Sequence, residues 1–314
     1  MSRIHEALKR AELERADIAL GKLGEAPAEP TVASHSQTAV AEQPAIAEPL
    51  APSAPAAPVE ELPGAAAFEQ AWKTTCRRRW KPDLHRLVFS TPDPLVPRTE
   101  QFRTLRSRLY RVRDSQPLQT VLVTSALPGE GKTFMAANLA HACARQNHCR
   151  VLLIDADLRA PRAHTLLGAP MSPGLADYLQ GGAGALDIIQ RGFDDDLGMI
   201  PSGNHVTHPA ELISSGRMKE LIEYVKPLFD WIIIDSPPVV PVSDASVLAG
   251  SCDGVLFVVR AGSTPSEMAQ KAVRDLKPAK IVGVILNSVM VNSGYQSYYG
   301  YGAYGDAKGK KPVK

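Results

Sequence analysis

The sequence has little of what marks a secreted or a membrane-spanning protein. Its four cysteines show neither CxxC spacing nor the pattern of a disulfide framework, which indicates a reducing compartment. The first ten residues are polar and mixed in charge, unlike a signal peptide, and no window approaches about 18 apolar residues without a charge. We therefore expect a cytoplasmic chain of 314 residues with no transmembrane segment of its own.

Lysine and arginine are absent from residues 25–68, a stretch that contains six Glu, eight Pro and fourteen Ala. Such a composition has too few apolar side chains to form a core, so it predicts a disordered, extended linker. Residues 72–113 have the opposite character, with twelve Lys or Arg against three acids. This basic run contains no recognisable nucleic-acid-reading module, so we expect no nucleic-acid partner.

The shifts in composition divide the chain into four segments. These are an N-terminal helix at 1–24, a disordered linker at 25–84 that is rich in Ala and Pro and then basic, a folded domain at 85–290, and a flexible Tyr-rich tail at 291–314. The N-terminal helix has a partial apolar face, typical either of a solvated helix or of one that docks on a partner. The basic stretch KTTCRRRWK at 73–81 could lie on anionic lipid, meet an acidic partner, or remain solvated.

A glycine-rich loop joins a predicted strand to a predicted helix in the folded domain. The strand is TVLVTS at 120–125, the loop is ALPGEGKTF at 126–134, and the helix continues through MAANLAHACA at 135–144. Such a loop directs backbone N–H groups at phosphate oxygens, and the helix adds its dipole. The residues expected to contact a nucleotide here are Pro128, Gly129, Glu130, Gly131, Lys132, Thr133 and Phe134. Lys132 would reach the β- and γ-phosphates, and the Thr133 hydroxyl would ligate Mg²⁺.

Two further predicted strands end in carboxylates. The stretch RVLLIDADLRAPR at 150–162 contains a strand with Asp155 and Asp157 at its C-terminal end, and DWIIIDSPPVV at 230–240 contains one with Asp235 at its C-terminal end. In open parallel sheets, ligands bind beyond the carboxyl ends of the strands, so the three acids should converge on the phosphate site. A single Asp at a strand end is commonly a turn former. Three beside a phosphate loop are better explained by Mg²⁺ binding and proton transfer.

The stretches DGVLFVVRAG at 253–262 and KIVGVILNSV at 280–289 complete the predicted sheet. The fold class is therefore α/β, a P-loop NTPase with a mostly parallel sheet flanked by helices. Asn287 ends the last strand, where its amide could hydrogen-bond an adenine edge or simply form a turn. No NKxD guanine-reading signature is present, so ATP is expected rather than GTP.

Together these motifs resemble those of the bacterial tyrosine kinases, P-loop proteins related to the MinD and ParA ATPases. SALPGEGKTFMAANLA, VLLIDADLR and WIIIDSPP are similar to the family's Walker A, Walker A′ and Walker B motifs. Ala126 stands where most phosphate loops have Gly, and this form is usual in the family. Over about residues 95–305, the resemblance implies an ATP- and Mg²⁺-dependent protein-tyrosine kinase that works with capsule and exopolysaccharide synthesis and export.

The resemblance also implies a role for each polar residue of the site. Lys132 would stabilise charge on the phosphates, while Thr133 would bind Mg²⁺ with Asp157 and Asp235, directly or through water. Asp155 would orient the incoming tyrosine hydroxyl or take its proton. Asp155 and Asp157 could exchange these roles.

The segment EQFRTLRSRL at 100–109 predicts an amphipathic helix with a charged stripe. Its spacing matches an ExxRxxR element of the family, which packs against the next subunit of a ring. By this resemblance, Glu100, Arg103 and Arg106 would hold a homo-oligomer together. A solvated helix face is the alternative interpretation.

Five of the eight tyrosines lie in YQSYYGYGAYG, at positions Tyr295, Tyr298, Tyr299, Tyr301 and Tyr304. Their spacing lacks the 3.6 or 2.0 period of a buried aromatic stripe. In the family, such a cluster is phosphorylated in trans by a neighbouring subunit, and a flexible Gly/Ser string would let each phenol reach a kinase site. Each phosphate adds about −2 charges, so phosphorylation could release the tail and the ring.

The resemblance further implies a separate membrane polysaccharide co-polymerase as activator, a cognate tyrosine phosphatase, and recruitment to the inner face of the plasma membrane. A MinD/ParA-like ATPase, acting by nucleotide-dependent assembly without kinase activity, is the main alternative. Such ATPases carry an early lysine in the phosphate loop, where this chain has Ala126, Leu127 and Pro128, and usually end in an amphipathic helix. A third hypothesis is a scaffold that binds nucleotide without catalysis.

Overall fold

The computed structural model of the chain describes residues 62–74, 76–88, 97–146, 148–192 and 196–289. The predicted N-terminal helix and the Tyr-rich tail, with its five tyrosines, lie outside the described residues. Within the described ranges, no helix combines the length and apolar character needed to cross a bilayer.

One seven-stranded sheet forms the centre of the fold. Its strands are β1 Thr120–Ser125, β2 Val151–Asp155, β3 Gln190–Arg191, β4 Leu197–Ile200, β5 Trp231–Asp235, β6 Gly254–Arg260 and β7 Ile281–Asn287. They lie in the order β3-β4-β2-β5-β1-β6-β7, and every neighbouring pair except β3 and β4 is parallel. The predicted α/β class with a mostly parallel sheet is therefore confirmed.

Nine α-helices cover the two faces of the sheet in the described part of the chain. They are α1 Ala65–Lys73, α2 Pro97–Ser115, α3 Lys132–Ala144, α4 Ala163–Leu167, α5 Leu175–Leu179, α6 Pro209–Ile213, α7 Gly216–Val225, α8 Asp244–Ala249 and α9 Ser266–Asp275. The central strand β5 shows how both faces are buried: Ile232 and Ile234 pack into one apolar layer, while Trp231 and Ile233 pack into the other. Alternate side chains of a strand point to opposite faces, so a continuous apolar run fits a sheet covered on both sides.

Helix α2 packs on α3 through the predicted apolar stripe. Phe102 and Leu109 are buried, and Leu105 and Val112 are partly buried against the same layer. The amphipathic pattern read from the sequence is confirmed, and it leaves the charged stripe on the outer side of the helix.

The structure differs from the predicted linker, which was expected to extend to residue 84. Helix α1 begins at Ala65, and its Phe68 and Trp72 are buried against Phe229, with ring centroids 5.5 and 5.4 Å from it. These aromatic side chains are what the rest of the Ala/Pro-rich stretch lacks, and their burial offsets the entropy cost of ordering a short segment. The linker prediction therefore does not hold for the described residues 65–74 and 76–84, which pack on the domain.

Candidate nucleotide site

The glycine-rich loop lies between β1 and α3, at the carboxyl edge of the sheet. Gly129 and Gly131 have φ values of 81° and 95°, in the left-handed region that favours glycine. A Cβ atom on Gly131 would also lie 2.2 Å from the side-chain nitrogen of Asn287. Helix α3 begins at Lys132, directly after this turn, so its N-terminal N–H groups and dipole face the loop. The geometry is that of a phosphate-binding loop.

The side chain of Glu130 turns back into the protein, so the predicted nucleotide contact of this residue, which stays a prediction, would come from its backbone N–H. The carboxylate is 4% exposed, accepts a hydrogen bond from the Leu127 N–H at 2.8 Å, and accepts a second from the Thr264 hydroxyl. This orientation keeps a negative charge away from a site built for anionic phosphates. In the structure, the Glu130 side chain therefore fixes the shape of the loop.

Two other predicted contacts are also used within the protein. The side-chain amide of Asn287 donates to the Glu130 carbonyl at 2.9 Å, so it holds the loop, and its contact with an adenine edge stays a prediction. The ring of Phe134 packs edge-on against Phe102, with ring centroids 6.0 Å apart, and so joins α3 to α2. Both side chains therefore support the phosphate loop and the start of α3 through contacts within the protein.

The structure brings Lys132 and the three predicted carboxylates together. Asp155 and Asp235 are paired in register as the last residues of β2 and β5, and Asp157 follows two positions later. The Lys132 ammonium donates to an Asp157 carboxylate oxygen at 2.7 Å. Burial alone would lower the pKa of Lys132, but the charges of Asp235 and Asp157 raise it. Among the described residues, the site therefore places the Lys132 ammonium among three carboxyl groups.

Asp155 is fully buried, and both of its oxygens have backbone partners. They accept hydrogen bonds from the N–H groups of Asp157 and Ala163, at 3.3 and 3.0 Å. Burial and the neighbouring Asp235 raise the pKa of Asp155 well above its ordinary value, although these hydrogen bonds oppose the shift. Its contacts shape the turn between β2 and α4.

Asp235 is also fully buried, but neither of its carboxylate oxygens has a hydrogen-bond partner among the described residues. Burial raises the pKa of Asp235 to about 6, against the lowering effects of the Lys132 charge and the nearby Thr133 hydroxyl. Mg²⁺ is usually held by one or two carboxylates together with phosphate and water oxygens. The unsatisfied carboxylate beside Thr133 fits that chemistry. No three His, Cys, Asp or Glu side chains of the described residues form a metal cage of their own.

We predict that Asp235→Asn makes the metal-free protein more stable relative to wild type as pH rises from about 4 to 6. The raised pKa means that folding favours the protonated acid, so above pH 6 wild type keeps a buried charge that Asn lacks. The difference should reach roughly 3 kcal/mol. Urea unfolding in EDTA at pH 4.5 and pH 7.5 measures it, with the exposed Asp275→Asn as the control. A pH-independent difference would contradict the buried-charge interpretation.

One ion pair near the site was not predicted from the sequence. Arg159 binds the buried carboxylate of Asp244 through two nitrogens, at 2.8 and 3.1 Å. Arg159 follows Asp157 by two positions, and Asp244 begins α8 on the segment after Asp235. The pair links the two acidic turns. Its signal was present as the Arg of DADLR and the Asp of VSDAS, but sequence spacing does not reveal a contact across 85 positions.

The predicted assembly residues lie on α2, outside its apolar stripe. Glu100 and Arg103 form an exposed ion pair one turn apart. The Arg106 guanidinium donates to the carbonyl of Ala142, in the last turn of α3, at 2.6 Å. Glu100 and Arg103 are therefore accessible to a partner, while Arg106 also has a bond within its own chain.

Comparison with protein families gives a match to the model described as an AAA domain, over residues 119–277. Among individual proteins, the tyrosine-protein kinase YwqD of Bacillus subtilis is 36% identical over 220 residues, which is 69% of this chain and 92% of that protein. The tyrosine-protein kinase Wzc of Salmonella typhimurium is also 36% identical, over 71% of this chain and 31% of that protein. The chain thus spans nearly all of one relative and about a third of the other.

Solved structures of related proteins also match this chain over most of its length. The kinase domain of the Escherichia coli tyrosine kinase ETK matches with a TM-score of 0.63 and 31% identity, over 74% of this chain and 89% of that chain. The chimeric protein CapA2B2 matches with a TM-score of 0.62 and 31% identity, over 67% of this chain and 92% of that chain. Each match covers two thirds or more of this chain.

Proposed function

This chain belongs to the bacterial tyrosine-protein kinases, and on that premise we propose that it uses ATP to phosphorylate the tyrosines of its own C-terminal tail in trans. The observation that carries the proposal is the convergence of Lys132, Asp157 and the unsatisfied Asp235 at the mouth of a phosphate-binding loop. Positioning and charge stabilisation are what phosphoryl transfer requires of a protein, and this constellation supplies both.

In the proposed reaction, the phenolic oxygen of a tail tyrosine attacks the γ-phosphorus of ATP, and the bond to ADP breaks. The loop N–H groups of residues 129–133 and the Lys132 ammonium stabilise negative charge on the phosphates. Thr133 and Asp235 would hold Mg²⁺, which supplies further positive charge there, with Asp157 beside them. The phenol has an ordinary pKa of about 10, so a carboxylate must accept its proton as the bond forms.

The contacts of Asp155 and Asp157 suggest how they divide this work. Both oxygens of Asp155 are bonded to backbone N–H groups, so we assign it to holding the turn. Asp157 lies against the Lys132 ammonium, which must turn toward the phosphates for transfer and would then leave an Asp157 oxygen available to the incoming phenol. Asp157 thus takes the proton-accepting role that the resemblance gave first to Asp155, while Asp155 has a structural role instead of the Mg²⁺-binding role that a full exchange would give it.

We further propose that the chain assembles into a homo-oligomeric ring through Glu100, Arg103 and Arg106. In such a ring, the tail of one subunit would enter the site of the next, at positions Tyr295, Tyr298, Tyr299, Tyr301 and Tyr304. The folded unit of the kinase would then comprise residues 65–290, with a helix at 1–24, a linker before residue 65 and the tail after residue 290.

We predict that Glu100→Ala with Arg103→Ala shifts the assembled protein toward monomer, and that adding Arg106→Ala completes the shift. Glu100 and Arg103 form only an exposed pair on their own helix, so their loss should leave the fold unchanged. Light scattering at micromolar concentration in Mg-ATP measures the size. Arg106 also bonds Ala142, so its loss could act through the fold. Arg108→Ala, at an exposed position of α2, is the control for the loss of one positive charge from this helix. An unchanged size would instead support the alternative that the charged stripe is a solvated helix face.

The biological setting that we propose is regulation of capsule or exopolysaccharide synthesis and export. A separate membrane co-polymerase would recruit the chain to the inner face of the plasma membrane and activate it, and a tyrosine phosphatase would reverse the modification. Incubation of the purified chain with Mg-ATP, followed by intact mass and phosphotyrosine mapping, tests the catalytic part. ATP hydrolysis and assembly without any phosphotyrosine would instead favour a MinD/ParA-like ATPase.

A further inference from the structure

A basic segment that was expected to be a linker is fastened along the surface of the domain. We call residues 76–88 the basic strap. It contains four arginines and one lysine but a single acid, Asp83, so its net charge is +4 with histidine neutral. Arg77, Arg79, Lys81 and Arg86 are exposed, whereas Cys76 and Leu87 near its two ends are buried.

Backbone hydrogen bonds hold the strap at intervals along its length. The N–H of Arg78 donates to the Arg191 carbonyl at 2.8 Å, and the N–H of Lys81 donates to the Gly168 carbonyl at 3.0 Å. At the far end, the N–H of Val88 donates to the buried side chain of Asn138 on α3, at 2.7 Å. Because these bonds fix the backbone, the positions of the attached cations are restricted to one part of the domain surface. They form a localised positive patch, unlike the charges of a free linker.

The strap also exposes an apolar side chain among these charges. Leu84 lies in a turn between Lys81 and Arg86, and it is 55% exposed, the highest value among the exposed large apolar residues of the described part of the chain. An isolated exposed leucine is unremarkable on its own. Asp83, the single acid of the strap, pairs with Arg86 at 3.6 Å, and the remaining charged residues of the strap, Arg77, Arg78, Arg79 and Lys81, are all positive. The strap therefore combines an exposed apolar side chain with a net positive charge, two requirements for binding at a lipid–water interface.

We propose that the basic strap docks the kinase domain on an anionic phospholipid surface, with its cations on the headgroups and Leu84 entering the headgroup layer. This rests on the proposed recruitment to the inner face of the membrane and gives it a surface on the chain itself. An acidic polypeptide would satisfy the cations but would gain nothing from an exposed leucine unless it supplied an apolar pocket. A headgroup layer accommodates both.

The test uses the full chain and vesicles of phosphatidylglycerol and phosphatidylcholine in equal parts, compared with phosphatidylcholine alone. The strap variant changes Arg77, Arg79 and Lys81 to Gln, which removes three charges and keeps most of each aliphatic stem. The control changes Lys271, Arg274 and Lys277 to Gln, removing three exposed charges around α9, at the other end of the sheet. Each basic residue near an anionic surface contributes about 1 kcal/mol, so binding of the strap variant should weaken on the order of 100-fold and that of the control only slightly.

Leu84→Ser provides a second, independent measurement. It leaves every charge in place, so it should weaken vesicle binding several-fold while keeping the salt dependence of wild type. Equal weakening by the strap and control variants, no wild-type binding to anionic vesicles at low salt, or capture by polyglutamate without vesicle binding would each overturn the proposal. Autophosphorylation in solution is measured on the same samples. A strap variant that keeps wild-type activity but loses vesicle binding separates this proposal from the kinase assignment.

Discussion

Replacing Lys132 with methionine is expected to reduce autophosphorylation by at least about a hundredfold, because the loop loses the cation that offsets charge on the transferred phosphate. The Lys132 ammonium lies 2.7 Å from Asp157, within a group of three carboxyls, and no other ammonium or guanidinium is paired to that group in the described part of the chain. Phosphotyrosine immunoblotting and intact mass after incubation with Mg-ATP measure the loss. Lys219→Met, at an exposed position on α7, should behave as wild type.

The same substitution should also lower stability. Asp157 is 2% exposed, and Lys132 is its only side-chain partner among the described residues, although the Ala160 N–H also donates to it. Removing the ammonium leaves a buried carboxylate without its opposite charge, a change that costs about 3–5 kcal/mol in typical buried pairs. The double variant Lys132→Met with Asp157→Asn removes both charges and should recover much of that stability without recovering phosphorylation. Stability measured by urea unfolding therefore separates lost chemistry from lost folding. Undiminished phosphotyrosine in a folded Lys132→Met protein would overturn the phosphate-loop assignment.

The sheet and the position of the site could be predicted because they depend on patterns local in sequence. Each central strand is a short apolar run, and Asp155 and Asp235 terminate two of them. Once strands are parallel, their carboxyl ends must share an edge, so convergence of the acids follows from topology alone. The phosphate loop likewise needs only one turn and one helix start. Those features required no knowledge of long-range packing.

What could not be predicted depends on contacts between distant residues. Glu130 lies inside the loop motif, yet its side chain is held by a hydrogen bond from the Thr264 hydroxyl, 134 positions away. The orientation of Asn287 is fixed by the Glu130 carbonyl, which the motif does not reveal. Residues 65–84 looked like linker because composition averages over a window, whereas two aromatic anchors, Phe68 and Trp72, decide whether such a segment packs.

The three tyrosines of the folded domain are poor candidates for phosphate acceptors. The Tyr178 side chain is 3% exposed beneath the Arg217 guanidinium, and burial raises the pKa of Tyr224 to about 12. The Tyr110 hydroxyl contacts the Cys149 sulfur at 3.4 Å, and burial raises its pKa as well. At all three positions, burial hinders the phenol from entering a kinase site and from losing its proton. The tail tyrosines are therefore the better candidates.

Changing the five tail tyrosines to phenylalanine should remove most phosphotyrosine while leaving ATP binding unchanged. The substitution deletes only hydroxyls at Tyr295, Tyr298, Tyr299, Tyr301 and Tyr304, so it tests phosphate acceptance separately from aromatic contact. Because no charge can then accumulate on the tail, the assembled form should persist in Mg-ATP. Phosphopeptide mapping and light scattering measure the two effects. The matched control changes Tyr110, Tyr178 and Tyr224 to phenylalanine and should retain phosphorylation if the protein remains folded.

Mixing two chains, neither of which can phosphorylate its own tail, tests whether the transfer occurs between subunits. The five-phenylalanine variant has an intact nucleotide site but no tail acceptor, whereas the Lys132→Met variant has the acceptors but lacks the loop lysine. If phosphorylation is in trans, phosphate should appear on the tail of the Lys132→Met chain only when both proteins are present with Mg-ATP. The rate should rise with the concentration of either chain and fall when Glu100 and Arg103 are changed to Ala in both. Silence of the mixture, with wild type active at the same concentration, would mean that each subunit modifies its own tail.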